Sequence, residues 1–276
     1  MTSLYWLMGT FALVALCTAA WLRLRRRGSV APRGFAGRLL LSLPAMIVFG
    51  LTTVGIGLEN FIEQHYLADL SWDFTPLIFS IEGHAVEAIQ DAVRNRVCDW
   101  LLTIVYSLGA FLTYNGTFFA CVVLGRPRAA LMVAVSDALI WGTGALFYLF
   151  VPVNEVWMTA DAPYHYTHVV NVLFQTLPAT RTSPEYMMQL NNNFPSLHVA
   201  GTVGVTLALF MAREKVLFWI CVPFAVGVTL ATVYLGIHWL LDVAAGLALA
   251  WGATWLAARW TLRKAGPAAP ASSTSR

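Results

Sequence analysis

The sequence predicts an all-α, polytopic membrane protein. Of its 276 residues, 58% are hydrophobic and only 11% are charged, whereas soluble domains carry about 25% charged residues. Apolar runs of about 20 residues recur along the chain, and each can cross a hydrocarbon core of roughly 30 Å as a helix. Because lipid offers no hydrogen-bond partners to the backbone, helices are the structure that this composition favours.

The apolar runs predict about seven transmembrane helices. The first run is not a secretory signal, because its cluster of arginines follows the apolar stretch instead of preceding it. We therefore expect an N-terminal helix and basic inner loop over 1–36, a membrane domain over 37–264 and a disordered Pro- and Ser-rich tail over 265–276. The predicted spans are 3–22, 39–58, 100–123, 129–151, 195–212, 216–235 and 237–258.

The basic residues predict the orientation of these helices. Cytoplasmic loops are enriched in Lys and Arg, and an outside N-terminus places fourteen of the seventeen basic residues on the inner side. The three that remain outside are Arg94, Arg96 and Arg181. The long loops 59–99 and 152–194 and all six histidines then face the extracytoplasmic or luminal side.

The first of these loops contains a predicted amphipathic helix over 75–95. Thr75 and Pro76 form a typical helix start, with Thr as the N-cap and Pro as the first helical residue. Apolar residues then recur on one face and charged residues on the other. Such a helix lies either in the membrane interface or against the helical bundle, and the pattern does not separate these two interpretations.

His238 and Asp242 form the first of two motifs that carry chemistry. They open the last span at a spacing of four residues, which places both side chains on one helical face. An Asp in this position accepts the proton of one imidazole nitrogen and leaves the other nitrogen as a nucleophile. The same pair would also serve simply to solvate a helix end, and the motif alone does not decide between these readings.

The second motif ends at His198, near the start of the fifth span. Asn193 is the predicted N-cap and Pro195 a predicted first-turn residue, and the free N–H groups of a helix N-terminus suit a phosphate. Asn193 and Ser196 are therefore candidate substrate ligands, and His198 is a candidate general acid. About forty residues separate His198 from His238, the length of one helix down and one helix back, which brings the two histidines together.

Other polar residues indicate no cofactor. The four cysteines include no C-x-x-C pair, so neither a disulfide nor a zinc framework is expected. His165 and His168 have a spacing that metal sites use, but no third ligand accompanies them at an obvious spacing. Asp137 lies within the fourth span, nearer its inner end, where we expect it to make a structural hydrogen bond.

Together the two motifs resemble those of a known family. The segment Pro195–His198 (PSLH) resembles the second signature of the type 2 phosphatidic acid phosphatase superfamily, and Thr232–Gly246 resembles the third. The resemblance implies a six-helix core preceded by one further span. It also implies that His238 attacks phosphorus to form a phosphohistidine, that Asp242 orients it, and that His198 is the general acid and then the base. No metal takes part in the chemistry that this resemblance implies.

The chain departs from this family where phosphate-binding cations are expected. The family's first signature has a Lys upstream of an Arg-Pro pair, and Phe119 occupies that position ahead of Arg126-Pro127. Thr232 replaces the Arg that usually precedes the histidine of the third signature. The loss of two cations is easier to tolerate for a phosphodiester, which carries a single charge. Arg181 is the candidate for a replacement cation, because it is the outer basic residue nearest to the motifs.

The details of the motifs are most similar to one branch of the superfamily. Tyr234, a candidate substrate-binding residue, and the bulky Leu197 before His198 resemble the inositol phosphorylceramide synthase (aureobasidin-resistance) branch. This implies an integral membrane lipid phosphotransferase that moves a phospho-head group between lipids. Two alternatives stay open: a lipid phosphate phosphatase with phosphatidic acid- or polyprenyl phosphate-type substrates, and a non-enzymatic lipid-binding or transport protein.

The expected partners follow from these functions. They are the bilayer, a phospholipid or lipid phosphate as donor, and a lipid, an alcohol or water as acceptor. No nucleic acid is expected.

Overall fold

The computed structural model describes a bundle of apolar helices and the connections that cover one end of it. The described residues are 34–62, 72–178, 180 and 191–262. The predicted span over 3–22, the predicted tail over 265–276 and the candidate cation Arg181 lie outside them. Within the described part the chain is helical, without β-strands, which confirms the predicted all-α, polytopic class.

Ten helices follow one another along the described chain. They are α1 Phe35–Leu41, α2 Leu43–Ile62, α3 Thr75–Glu82, α4 Ala85–Val93, α5 Arg96–Val123, α6 Pro127–Phe150, α7 Val172–Thr176, α8 Leu197–Met211, α9 Lys215–Tyr234 and α10 Leu240–Leu262. A short 3-10 helix, Val156–Ala160, lies between α6 and α7. α5 contains two π-helical turns, Val105–Gly109 and Leu112–Gly116.

Four of these helices, α5, α6, α9 and α10, are long and apolar enough to cross a membrane. α8 is apolar but has 15 residues, about 22 Å of helix, which is shorter than the hydrocarbon core. α1 and α2 would form a fifth span as a broken pair, bent by 64°. The predicted span over 39–58 is therefore bent at Ser42, because Pro44 has no N–H to continue the helix from α1.

α8 lies at the centre of the bundle and packs against α6, α9 and α10. The approach of α10 is close at Gly246, where an added Cβ would lie 2.6 Å from the carbonyl oxygen of Ser196. A side chain at this position would therefore push α10 away from the first turn of α8. This contact brings the ends that carry His198 and His238 together, and we call that end of the molecule the motif end.

The connections between the long helices, including α3 and α4, form a layer over the motif end, which we call the loop layer. Ile78 of α3 and Val86 of α4 are buried in a hydrophobic cluster with Trp239, so one face of these helices packs on the bundle. The predicted single helix over 75–95 is wrong, because Gly83 adopts a φ of 56° and ends α3 before α4 begins.

The predicted cap of this loop helix is also wrong. Phe74 is the N-cap of α3, and Pro76 lies in its first turn. The hydroxyl of Thr75 instead accepts a hydrogen bond from the backbone N–H of Asn154, at 2.8 Å. This bond ties α3 to the connection that follows α6, so tertiary contact replaces the local cap that the sequence suggests.

Candidate active site

His238 lies in the tight turn that joins α9 to α10. Gly236 has a φ of 75°, a backbone conformation that glycine adopts readily. The N–H groups of Ile237 and His238 both donate to the carbonyl oxygen of Thr232, at 3.2 and 3.0 Å. The turn holds the imidazole in the protein, where only 2% of His238 is exposed.

Asp242, in the first turn of α10, contacts this imidazole. Oδ2 of Asp242 lies 3.3 Å from Nδ1 of His238. The same oxygen accepts from the Trp239 backbone N–H at 2.9 Å and from the Asn193 amide at 2.8 Å. Because an ionised carboxylate only accepts hydrogen bonds, Nδ1 of His238 carries the proton and Nε2 keeps its lone pair.

The environment of His238 favours the neutral imidazole. Burial, and after it the neighbouring His198, lower the pKa of His238 well below the ordinary histidine value, while a hydrogen bond that the ring donates to the backbone of Asn193 acts in the opposite direction. Burial disfavours a charged imidazole because water no longer solvates it. The neutral imidazole is the form of histidine that carries a free lone pair.

Asn193 holds the His238–Asp242 pair, and it is not the predicted helix cap. The N-cap of α8 is Ser196, whose hydroxyl accepts from the Val199 N–H at 3.4 Å, and Pro195 precedes the helix. The predictions for Asn193 and Pro195 are thus wrong. Asn and Ser have similar N-cap preferences, and here the amide of Asn193 binds Asp242 and the carbonyl oxygen of Ile237, at 3.1 Å.

His198, the second residue of α8, faces the same site. Its ring centroid lies 5.9 Å from that of His238. Nδ1 of His198 lies 3.4 Å from the hydroxyl of Tyr106, and the two rings pack with their centroids 4.6 Å apart. With Nδ1 beside Tyr106, Nε2 is the His198 nitrogen that remains for a substrate.

Two tyrosines of α5 hold the start of α8, and sequence analysis missed both. Tyr106 and Tyr114 lie in the two π-helical turns, a rare geometry that is often found at functional sites. The Tyr114 hydroxyl is 2.7 Å from the carbonyl oxygen of Leu197 and 3.1 Å from that of His198. The sequence feature that could have identified these two tyrosines is their polar hydroxyl group inside an otherwise apolar span.

A cavity of about 260 Å³ lies over both histidines. This volume is below the roughly 300–1,000 Å³ of pockets that enclose whole drug-sized ligands, so it suits a head group rather than a complete lipid. Within the described residues no Lys or Arg lines it. Its polar and aromatic lining comprises Glu59, Tyr106, Ser107, Trp141, Tyr148, Glu155, Thr180, Asn192, Asn193, His198 and His238.

The other predicted ligands lie in different places. Ser196 is buried beneath the cavity, where its N–H donates to the carbonyl oxygen of Asp242 at 3.0 Å. Tyr234 does not line the cavity, and its hydroxyl donates to Asp99 at 2.6 Å. Arg181, outside the described residues, directly follows Thr180, which lines the cavity.

None of the other described outer cations and histidines lines the cavity. Arg94 lies 3.8 Å from Asp99 and donates to Gln175, and Arg96 begins α5. Across the described residues there is no group of three or more His, Cys, Asp or Glu side chains that could hold a metal ion. His165 and His168 belong to an exposed part of the connection between α6 and α7.

Glu82 links the loop layer to the site. Its carboxylate accepts from the backbone N–H of Leu240, at 2.8 Å, and from that of Leu241. It therefore satisfies two of the free N–H groups at the start of α10, two residues before Asp242. Burial raises the pKa of the Glu82 carboxyl, and the two backbone hydrogen bonds partly oppose this effect.

Comparison with known proteins gives one match. A family model described as the PAP2 superfamily matches residues 77–256. The matched region runs from α3 into α10 and includes His198, His238 and Asp242. No curated protein and no solved structure matches the chain.

Proposed function

The chain belongs to the PAP2 superfamily, and on this premise we propose that it is a lipid phosphotransferase that moves a phospho-head group from one lipid to a hydroxyl of another. Membership makes it an integral membrane enzyme of the lipid phosphatase or phosphotransferase type. The observation that supports the proposal is the shared cavity of His198 and His238, with Asp242 bound to His238. The matched region falls inside 37–264, which we propose as the catalytic membrane domain.

The first half of the proposed reaction forms a phosphohistidine. Nε2 of His238 attacks the phosphorus of a phosphodiester donor, and the bond between phosphorus and the oxygen of the lipid alcohol breaks. Protonated His198 gives its proton to the departing oxygen. Asp242 stabilises the positive charge that develops on His238, and the head group stays on the enzyme.

The second half transfers the head group. The hydroxyl of the acceptor lipid attacks the phosphohistidine, neutral His198 takes the hydroxyl proton, and the bond between Nε2 of His238 and phosphorus breaks. Both histidines return to their starting protonation states. No metal is needed in either half, because the attacking and departing oxygens exchange their protons with His198.

Charge favours a phosphodiester as donor. A phosphomonoester carries nearly two negative charges, and the described lining of the cavity contains no Lys or Arg to bind them. A phosphodiester carries one charge, for which we propose Arg181 as the cation, with the N–H groups at the start of α8, where Leu197 and His198 line the cavity, as further donors. An inositol phosphorylceramide synthase-like reaction, with phosphatidylinositol as donor and ceramide as acceptor, meets these conditions.

The test separates transfer from hydrolysis. Purified protein in vesicles receives labelled phosphatidylinositol with ceramide or diacylglycerol, or phosphatidic acid alone, and products are identified by mass spectrometry. We expect transfer in the wild type and none in His238→Ala, whereas His84→Ala, which removes an exposed histidine bonded to Glu87, keeps wild-type transfer. Faster hydrolysis of phosphatidic acid than any transfer would support the phosphatase instead. Absence of turnover would leave the lipid-binding or transport alternative.

We also propose that the site faces the extracytoplasmic or luminal side, from the distribution of basic residues. Asp161 is exposed in the connection between α6 and α7. In a background without native cysteines, Asp161→Cys should react with an impermeant maleimide on intact cells. Reaction only after permeabilisation would show the opposite orientation.

A further inference from the structure

A second cavity, of about 420 Å³, lies in the seam between α2 and α6. One wall is the face of α2 from Val48 to Glu59, and the other is the face of α6 from Ala138 to Tyr148. We call this cavity the α2–α6 groove. Its lining is almost entirely apolar, and Leu51 in its wall is more than half exposed, so the groove opens to the hydrocarbon that surrounds the two helices.

The groove adjoins the candidate active site. Glu59, Trp141 and Tyr148 line both the groove and the cavity over the two histidines. The hydroxyl of Tyr148 donates to the carbonyl oxygen of Pro195 at 3.3 Å, which ties this junction to the start of α8. A lipid with its phosphate beside His238 therefore has the apolar groove next to its head group.

The length of the groove corresponds to one leaflet. From Val48 to Glu59 the helix rises about 16 Å, and the face from Ala138 to Tyr148 rises about 15 Å. Half of a hydrocarbon core is also about 15 Å thick. The groove thus runs from the depth of the catalytic cavity to about the middle of the membrane.

Two glycines keep the groove open. A Cβ added at Gly55 or at Gly142 would meet no atom within 4 Å. At Gly201, by contrast, an added Cβ would lie 2.0 Å from the Tyr114 ring, so that glycine serves close packing. A glycine inside a helix costs about 1 kcal/mol relative to alanine, and at Gly55 and Gly142 no contact between helices accounts for this cost.

We propose that the α2–α6 groove holds an acyl chain of the donor lipid, which enters sideways from the bilayer and places its phosphate beside His238. This inference rests on the proposed function for the identity of the donor. The groove is no more apolar than the bilayer, so it offers little gain in affinity. Its effect is orientation, because a chain fixed in the groove aligns the phosphorus with the attacking nitrogen.

Photo-labelling tests occupancy without relying on activity. Protein in vesicles is irradiated with phosphatidylinositol that carries a diazirine in the middle of one acyl chain, and labelled peptides are mapped by mass spectrometry. We expect label on the groove faces of α2 and α6, and its loss in Gly142→Phe, whose side chain fills the groove. Gly252→Phe is the matched control, because its Cβ also meets open space but lies on α10, away from the groove.

Activity gives the second measurement. Gly142→Phe should lower kcat/KM for dioleoyl phosphatidylinositol about 100-fold, which is the effect of a misplaced reacting group. The kcat/KM for the short-chain dihexanoyl donor should not change. Gly252→Phe should match the wild type with both donors. If the wild type transfers no head group, the proposed function fails, while the labelling still tests the groove.

Two results would overturn the inference. One is equal labelling of the groove in Gly142→Phe, Gly252→Phe and the wild type, which would show lipid at the surface without a defined site. The other is an equal loss of activity with both donors together with a lower Tm in Gly142→Phe, which would show that another part of the chain packs in the groove.

Discussion

The hydroxyl of Tyr106 lies 3.4 Å from Nδ1 of His198, a contact between residues 92 positions apart. The phenol ring also packs on the imidazole. Together these contacts limit rotation of the His198 ring and direct one nitrogen away from the reacting atoms. Tyr106 is thus a positioning residue for the proposed general acid, held in place by a π-helical turn of α5.

Tyr106→Phe should lower kcat about tenfold, close to the 1.4 kcal/mol of one hydrogen bond. The ring remains, so Tm should not change. The pH profile of kcat should shift, because His198, the proposed general acid, loses its hydrogen bond to the Tyr106 hydroxyl. Tyr166→Phe, whose ring stacks on Phe79 in the loop layer, is the control and should keep the wild-type profile. A lower rate with an unshifted profile would contradict the assignment.

Asn193→Ala should reduce kcat more than it reduces stability. The amide donates to the Asp242 carboxylate, and hydrogen bonds to charged groups contribute about 1.5–3 kcal/mol, so kcat should fall about 10- to 100-fold. Ser196→Ala, which removes the cap of α8, should instead cost about 1 kcal/mol of stability and be measured mainly as a lower Tm. If Asn193→Ala and Ser196→Ala change kcat equally and lower Tm equally, Asn193 has only a structural role.

Glu82 should make the stability of the protein depend on pH. Burial raises its pKa above the ordinary value of about 4.5, so the folded protein binds this proton more tightly than the unfolded chain does. The contribution of Glu82 to the free energy of unfolding therefore falls as pH rises from about 4.5 through the raised pKa.

Glu82→Gln removes this titration, and the slope of Tm against pH should flatten over that range. Asp91→Asn removes an exposed carboxylate of α4 and should keep the wild-type slope. An unchanged slope in Glu82→Gln would show that Glu82 is not the group responsible.

Activity should survive removal of divalent metals. Across the described residues no group of three or more His, Cys, Asp or Glu side chains could hold a metal ion, and both proton transfers of the proposed reaction use His198. We expect the same transfer rate before and after dialysis against EDTA. A lasting loss of activity that added Zn²⁺ or Mg²⁺ restores would refute the metal-free mechanism.

The sequence by itself determined the class of the protein and the pair of motifs. Hydropathy is a property of each segment alone, so the apolar runs indicate membrane helices before any packing is known. The pairing of His238 with Asp242 was equally local, and the structure places Nδ1 of His238 3.3 Å from Oδ2 of Asp242. The predicted shared helical face is wrong, because α10 begins at Leu240 and His238 lies in the turn before it. Recognition of both signatures led to the superfamily that the family model also identifies.

Only the tertiary structure decided which neighbours serve these motifs. Asn193 and Asp242 are 49 residues apart, Tyr106 and His198 are 92 apart, and Glu82 and Leu240 are 158 apart. Local preference misplaced the cap of α8, because it does not record which distant group competes for a side chain. The α2–α6 groove likewise exists only because two helices pack with glycines at their seam, and no single segment contains that information.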